Sequence, residues 1–255
     1  MSKSIDWDNV PAAIWRAQRG ELRPVLHTDP IRFGQLLGID RQIAAVCKNT
    51  QRFLAHQPAN NVLLWGSRGT GKSSIIKALL NEYFLQGLRV IEVDKNDLID
   101  LPEIVDKIRD HAHRFIVYCD DLSFDEGERT YKTLKSVLEG SIELPPENIL
   151  IYATSNRRHL LPEYLKDNES SKVVDTEIHH AEVIEEKISL SDRFGLWLSF
   201  YPINQEAYLA MVDQLFPQVS DRVALHAEAV RFALAKGGRS GRTAQQFFKA
   251  WSGDF

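Results

Sequence analysis

The segment Gly66-Ser-Arg-Gly-Thr-Gly-Lys-Ser73 decides the fold of this chain. It matches the pattern GxxxxGK[ST], in which glycines let the backbone curl so that successive N–H groups point at phosphate oxygens. The apolar run that ends at Trp65 predicts a buried strand, and residues 74–80 are apolar at helical spacing. A strand, a glycine-rich turn and a helix start together predict a phosphate-binding loop at a helix N-terminus. The candidate phosphate-binding residues are Gly66, Ser67, Arg68, Gly69, Thr70, Gly71, Lys72, Ser73 and Ser74.

Two side chains of this loop have expected roles of their own. Lys72 would reach the β- and γ-phosphates of a nucleotide, and Ser73 would place its hydroxyl on Mg²⁺. A loop of this kind does not by itself distinguish a kinase from a motor or a switch, so the rest of the chain has to narrow the function.

Composition limits the class of protein. The 255 residues are 44% hydrophobic and 26% charged, which is ordinary for a globular protein. No apolar run approaches the roughly 20 residues of a membrane helix, and the N-terminus lacks the apolar core of a signal peptide. Cys47 and Cys119 do not form a disulfide framework, so we expect a cytoplasmic protein. The net charge of −4 does not indicate an overall basic surface for binding nucleic acid, although it is compatible with a local basic patch.

Strand and helix patterns alternate through the middle of the chain. Apolar runs separated by helical stretches predict an α/β fold with a parallel sheet covered on both faces. From Asn204 onward only helical patterns remain, which predicts a small helical lid. We expect a docked N-terminal arm over residues 1–35, a core over 36–202 and the lid over 203–255. The acidic segment 166–187 is predicted to be a solvated loop. The expected strands are 61–65, 88–94, 115–120, 149–155 and 196–201, and the expected helices are 101–111, 128–139, 205–216, 221–235 and 243–251.

Polar residues follow several of the predicted strands. Asp120 and Asp121 end a buried strand, at the edge of the sheet where ligands bind in open α/β folds. Asp120 can hold Mg²⁺, and Asp121 can polarise an attacking water. Asn156 ends the next strand, where a neutral amide can orient water beside a γ-phosphate. Arg193 comes just before the last strand, and Arg242 starts a helix of the lid after a glycine-rich turn.

In this order the set resembles the AAA+ ATPases. The phosphate loop is similar to Walker A, Asp120-Asp121 to Walker B, Asn156 to sensor 1, Arg193 to the arginine finger and Arg242 to sensor 2. The segment containing Leu37, Gly38 and Ile39 is similar to the family's adenine-side segment. This resemblance covers about residues 36–250. Residues 119–124, 152–160 and 190–196 more narrowly resemble a bacterial AAA+ family whose members carry a domain-of-unknown-function label.

The resemblance implies a Mg²⁺-dependent ATPase that converts ATP to ADP and phosphate, with the catalytic set Lys72, Asp121, Asn156, Arg193 and Arg242. An arginine finger acts across a subunit interface, so a homo-oligomer through Arg193 is implied. The ATP cycle would drive a remodelling or loading task on a client macromolecule that the sequence does not identify.

Three alternatives stay open. Many AAA+ Walker B motifs end in Asp-Glu, and here the second carboxylate is one methylene shorter, so Asp125 or Glu126 could be the catalytic base instead of Asp121. A nucleotide-dependent loader or switch on DNA, similar to helicase loaders, is the first rival function. A small-molecule P-loop kinase is the second. Residues 95–100 lack the aromatic–apolar–Gly signature of protein-threading rings, which disfavours an unfoldase.

Overall fold

The structure is a computed structural model that describes residues 5–124, 129–139, 145–156, 160 and 193–251. Asp125, Glu126 and the acidic segment 166–187 lie outside the described residues. No helix in the described part of the chain is both long and apolar enough to span a membrane.

One seven-stranded sheet organises the described chain. Its strands are β1 (Ala12–Arg16), β2 (Glu21–Val25), β3 (Val62–Gly66), β4 (Leu88–Glu92), β5 (Arg114–Cys119), β6 (Ile149–Ser155) and β7 (Leu196–Phe200). They lie in the order β2-β1-β4-β5-β6-β3-β7. All neighbouring strands run parallel except β1 and β2, which form an antiparallel hairpin. The predicted α/β class is confirmed, but the sheet is mostly rather than wholly parallel.

The first 35 residues contain two strands where the sequence predicts only a docked arm. β1 pairs with β4 and so extends the sheet beyond the predicted strands, and β2 closes that edge. Both strands are only five residues long, Pro11 directly precedes β1 and Pro24 lies within β2, which hides the alternation that marks a strand. Trp7 and Trp15 are each 4% exposed and belong to the apolar core on one face of the sheet.

Helices cover both faces of the sheet. On one face α1 (Asp40–Leu54) and α2 (Lys72–Tyr83) bury residues such as Phe53 and Leu79 against β3, β4, β5 and β6. On the other face α3 (Leu101–Ile108) buries Ile104, and α4 (Arg129–Glu139) buries Leu134. Strand side chains alternate between the faces, so Ile116 contributes to the first core and Val117 to the second.

The last three helices have an apolar cluster of their own. They are α5 (Gln205–Leu215), α6 (Arg222–Ala235) and α7 (Gly241–Trp251). Asn204 and Asp221 cap α5 and α6, because their side chains accept hydrogen bonds from Ala207 N (2.8 Å) and Ala224 N (3.0 Å). Tyr208 and Phe247, both fully buried, lie at the centre of the cluster. These helices match the predicted ones within a few residues.

Candidate functional site

A cleft of about 870 Å³ lies at the carboxyl ends of β3, β5 and β6. In an open parallel sheet this is the edge where ligands bind. The phosphate loop forms the floor of the cleft, the C-terminal helices form one wall, and residues 31–39 form the other. Arg68, Lys72, Lys77 and Arg242 bring positive charge to the cleft, and Glu92, Asp120 and Asp121 bring negative charge.

The glycines of the loop are required by the way its backbone is packed. Gly66 has φ +128°, and an added Cβ would come within 2.0 Å of the Phe200 carbonyl oxygen on β7. The same close approach lets Ser67 N donate to that oxygen at 2.9 Å. At Gly69, with φ +73°, a Cβ would come within 2.8 Å of Ser240, in the turn just before α7. Among the described residues, the amide N–H groups of residues 69–74 have no acceptor, which leaves them available to an anion.

Lys72 begins α2 and is almost buried, with 7% of its surface exposed. Its ammonium group donates to the carbonyl oxygens of Gly66 and Ser67, each at 2.7 Å, and to Asn156 Oδ1 at 3.3 Å. Burial lowers the pKa of Lys72, and the nearby carboxylates of Asp120 and Asp121 act in the opposite direction. The chain thus holds a cation against the loop, where a phosphate would replace carbonyl oxygens as its partner.

Asp120 lies beside the Ser73 hydroxyl, which donates to Asp120 Oδ1 at 2.8 Å. Thr154 Oγ1 donates to the same oxygen. Burial alone would raise the pKa of Asp120, but the hydrogen bonds from Thr154 and Ser73 stabilise the carboxylate and leave its pKa below the usual value. An ionised carboxylate beside a hydroxyl offers two hard oxygen ligands, which suits Mg²⁺.

The Ser73 hydroxyl and the Asp120 carboxylate are too few to form a metal site built from protein ligands alone. No cluster of three or more His, Cys, Asp or Glu side chains that could hold a metal occurs in the described ranges. Mg²⁺ is commonly held by one or two protein oxygens together with waters and substrate phosphates, so the donor set fits Mg²⁺ in that mode.

Asp121 is exposed in the cleft and has an uncommon backbone conformation, with φ +52°. Its N–H donates to Thr154 Oγ1 at 2.9 Å, and its Oδ1 accepts from Asn156 Nδ2. Because Asn156 Oδ1 faces Lys72, the amide of Asn156 connects Asp121 to the lysine. Left-handed backbone at a non-glycine residue is often found at functional sites, where surrounding contacts hold it.

The C-terminal helices and the segment before α1 bring further predicted residues to the cleft. Gly241 N donates to Gly69 O at 3.1 Å, so α7 begins directly on the phosphate loop and Arg242 lines the cleft. Leu37 and Ile39 also line it, and Gly38 lies between them with φ +75°. Ile39 Cδ1 is 3.0 Å from where a Cβ on Gly71 would lie, so this wall of the cleft meets the loop closely.

Arg193 does not line this cleft. It precedes β7, whose Leu196 pairs with Val62 at the start of β3 and whose Phe200 pairs with Gly66 at its end. The four residue steps along β7 span about 13 Å at a rise of about 3.3 Å per residue. Arg193 therefore lies at the opposite edge of the sheet from the phosphate loop of its own chain. A role for Arg193 at a phosphate would require the cleft of a second copy.

The model of the family described as "Protein of unknown function (DUF815)" matches residues 8–255. The chain belongs to the DUF815 family. No curated protein matches the sequence. The family match includes the β1–β2 hairpin and the three C-terminal helices, so both are parts of the DUF815 pattern. The expected membership of a family of unknown function is confirmed, and the AAA+ assignment stays a prediction.

Two residues of this DUF815 chain, Thr154 and Glu92, lie in the site but are not among the site residues predicted from the sequence. Thr154 is 1% exposed and connects Asp120 to the backbone of Asp121. Thr154 could have been identified from the sequence because it is a polar residue within an apolar strand, two positions before Asn156. Glu92 ends β4 and lines the cleft, next to Tyr118 in the strand register. Its signal is an acid near the carboxyl end of the predicted strand 88–94, similar to the signal that identified Asp120.

Proposed function

We propose that the chain is a P-loop ATPase of the AAA+ type, which binds ATP with Mg²⁺ and hydrolyses it to ADP and phosphate. The observation that carries the proposal is the convergence of three predicted elements, since Lys72 contacts Asn156 and Ser73 contacts Asp120 in one cleft. These residues come from three separate segments of the chain. A glycine-rich turn that binds no ligand would not require polar side chains from three segments to contact one another.

The phosphate chain of the nucleotide would lie along residues 66–74. Free N–H groups at the start of α2 and the positive end of its dipole favour an anion there. The Lys72 ammonium would exchange the carbonyl oxygens of Gly66 and Ser67 for phosphate oxygens. Ser73 and Asp120 would hold Mg²⁺, which supplies neutralisation of the charge on the phosphates when bound.

Asp121 and Asn156 would act on the attacking water. The carboxylate of Asp121 would accept a proton from the water as its oxygen approaches the γ-phosphorus, and the bond to the ADP oxygen breaks. Asn156 already holds Asp121 through its amide, so it would keep the carboxylate oriented without competing for the metal. Arg242 would add positive charge from the C-terminal helices, which touch the loop at Gly69.

The subunit arrangement follows from the position of Arg193. Since it lies at the far edge of the sheet in its own chain, the finger role implied by the AAA+ resemblance requires a homo-oligomer. We propose that the ATP cycle drives a remodelling or loading task on a client macromolecule.

Phosphate release from ATP tests the proposal. The purified chain should release phosphate in the presence of Mg²⁺, and chelation of the metal with EDTA should stop the release. A chain that binds no ATP and releases no phosphate at any protein concentration would refute the ATPase assignment.

A further inference from the structure

A strap formed by residues 26–37 runs from the end of β2 into the wall of the cleft that residues 31–39 form. Its last part brings Ile31, Gln35, Leu36 and Leu37 into the cleft lining. Met211 and Leu215 of the C-terminal helices also line the cleft. The strap therefore supplies apolar surface to the part of the cleft that the phosphate loop does not form.

One side chain holds the strap on α2. Asn81 Nδ2 donates to the carbonyl oxygens of Asp29 at 2.7 Å and of Ile31 at 2.9 Å. Asn81 Oδ1 accepts from the Thr28 hydroxyl at 3.2 Å. The backbone carbonyl of Asn81 also accepts from Arg32 Nη1 at 3.1 Å. A single asparagine thus uses both ends of its amide to hold Thr28, Asp29 and Ile31 of the strap.

The other polar contact between the strap and the side chains of α2 is weaker. Lys77 pairs with Asp29 at 3.0 Å, but both side chains are about half exposed, and exposed ion pairs contribute little. The strap has no regular strand or long helix over these residues, only a short 3₁₀ turn at Phe33–Gln35. Phe33 and Leu36 of the strap also pack against the apolar core beneath α1 and α2. Asn81, which itself does not line the cleft, makes most of the polar contacts that hold the strap on α2.

From these contacts we propose that Asn81 is a positioning residue for the nucleoside part of the nucleotide, acting through the strap. This inference rests on the proposed function, since it assumes that the cleft binds ATP. The strap side of the cleft contacts the base, and the loop side contacts the phosphates. Loss of Asn81 should therefore weaken binding of ATP while leaving the binding of a triphosphate without a nucleoside almost unchanged.

The test compares two probes, MgATP and Mg²⁺-tripolyphosphate, by isothermal titration calorimetry on the full chain. Asn81→Ala should raise the Kd for ATP about tenfold or more, a factor that corresponds to roughly 1.4 kcal/mol. The Kd for tripolyphosphate should change less than about twofold. Hydrogen exchange gives a second reading: ATP should slow exchange in residues 26–37 of the wild type, and tripolyphosphate should not.

Asn148→Ala is the matched control. Asn148 Nδ2 also donates to backbone carbonyl oxygens, that of Ile108 at the end of α3 (3.0 Å) and that of His111 just after it (3.1 Å), but away from the cleft. It should change neither affinity. Equal losses for both probes in Asn81→Ala would overturn the proposal, because they would indicate a general disturbance of α2. Unchanged ATP affinity in that variant would overturn it as well, with the ATPase assignment intact. A wild-type chain that binds neither probe would refute the proposed function and the role of Asn81 together.

Discussion

Replacing Lys72 by alanine removes the only cation that the described phosphate loop holds in its interior. The ammonium group has three acceptors, at 2.7, 2.7 and 3.3 Å, and 7% of the residue is exposed. A folded Lys72→Ala chain should therefore keep its cleft and lose a fixed positive charge at the place where phosphate would bind.

Two physical estimates limit the loss of ATP-binding free energy that the Lys72→Ala change should cause. One charge pair at about 4 Å contributes at most about 4 kcal/mol at an effective dielectric constant near 20. Lys72 must leave two carbonyl oxygens to contact a phosphate, which offsets part of that gain. A charge-assisted hydrogen bond contributes about 1.5–3 kcal/mol net. We therefore expect the Kd for MgATP to rise about 10- to 150-fold.

Fluorescence anisotropy with a labelled ATP analogue measures this change, and thermal melting checks that each variant is folded. Lys107→Ala is the control, because Lys107 is a lysine of α3 on the opposite face of the sheet, 6.0 Å from the Trp15 ring. It should bind as the wild type does. A folded Lys72→Ala chain whose affinity matches that of the control would refute the phosphate-loop assignment.

Two further predictions concern the loop glycines and the subunit interface. Gly66→Ala should lower the free energy of unfolding in urea by about 1–3 kcal/mol more than Gly87→Ala does. Both glycines have positive φ, but only at Gly66 would an added Cβ clash with another atom, the Phe200 carbonyl oxygen. Equal losses of stability in the two variants would contradict the close packing of β3 on β7. Arg193→Ala should keep ATP affinity but lower turnover by about 10³-fold, the range of arginine fingers. Mixing Arg193→Ala subunits with Lys72→Ala subunits should restore some activity. If turnover does not depend on protein concentration and mixing restores no activity, Arg193 has only a structural role.

Much of the core was predictable because its signals are local. β3, α2 and the phosphate loop come from one continuous stretch, and β5 and β6 are near-continuous apolar runs that end in polar residues. Acids and amides at the ends of parallel strands must meet at one edge of the sheet, so the approach of Asp120 to Ser73 could be anticipated.

The features that the sequence did not predict depend on contacts between residues that lie far apart along the chain. β1 is a short strand whose partner β4 follows more than 70 residues later, so its pairing could not be read from its own pattern. Thr154 contacts Asp120 and Asp121, which directly follow the neighbouring strand β5. Asn81 resembles any polar residue on the exposed side of a helix until the strap lies against it.

The most direct measurement of the central claim is phosphate release from MgATP by the wild type and by Asp121→Asn, with ATP binding measured in parallel. Asn keeps the size of Asp121 and removes its proton-accepting charge. The account predicts nearly unchanged ATP affinity and a rate of release lower by about 10²–10⁴, the usual contribution of a positioned base. If Glu126→Gln abolishes release while Asp121→Asn works at the wild-type rate, the base is not Asp121. No release by a wild-type chain that binds MgATP would contradict the claim that this cleft hydrolyses ATP.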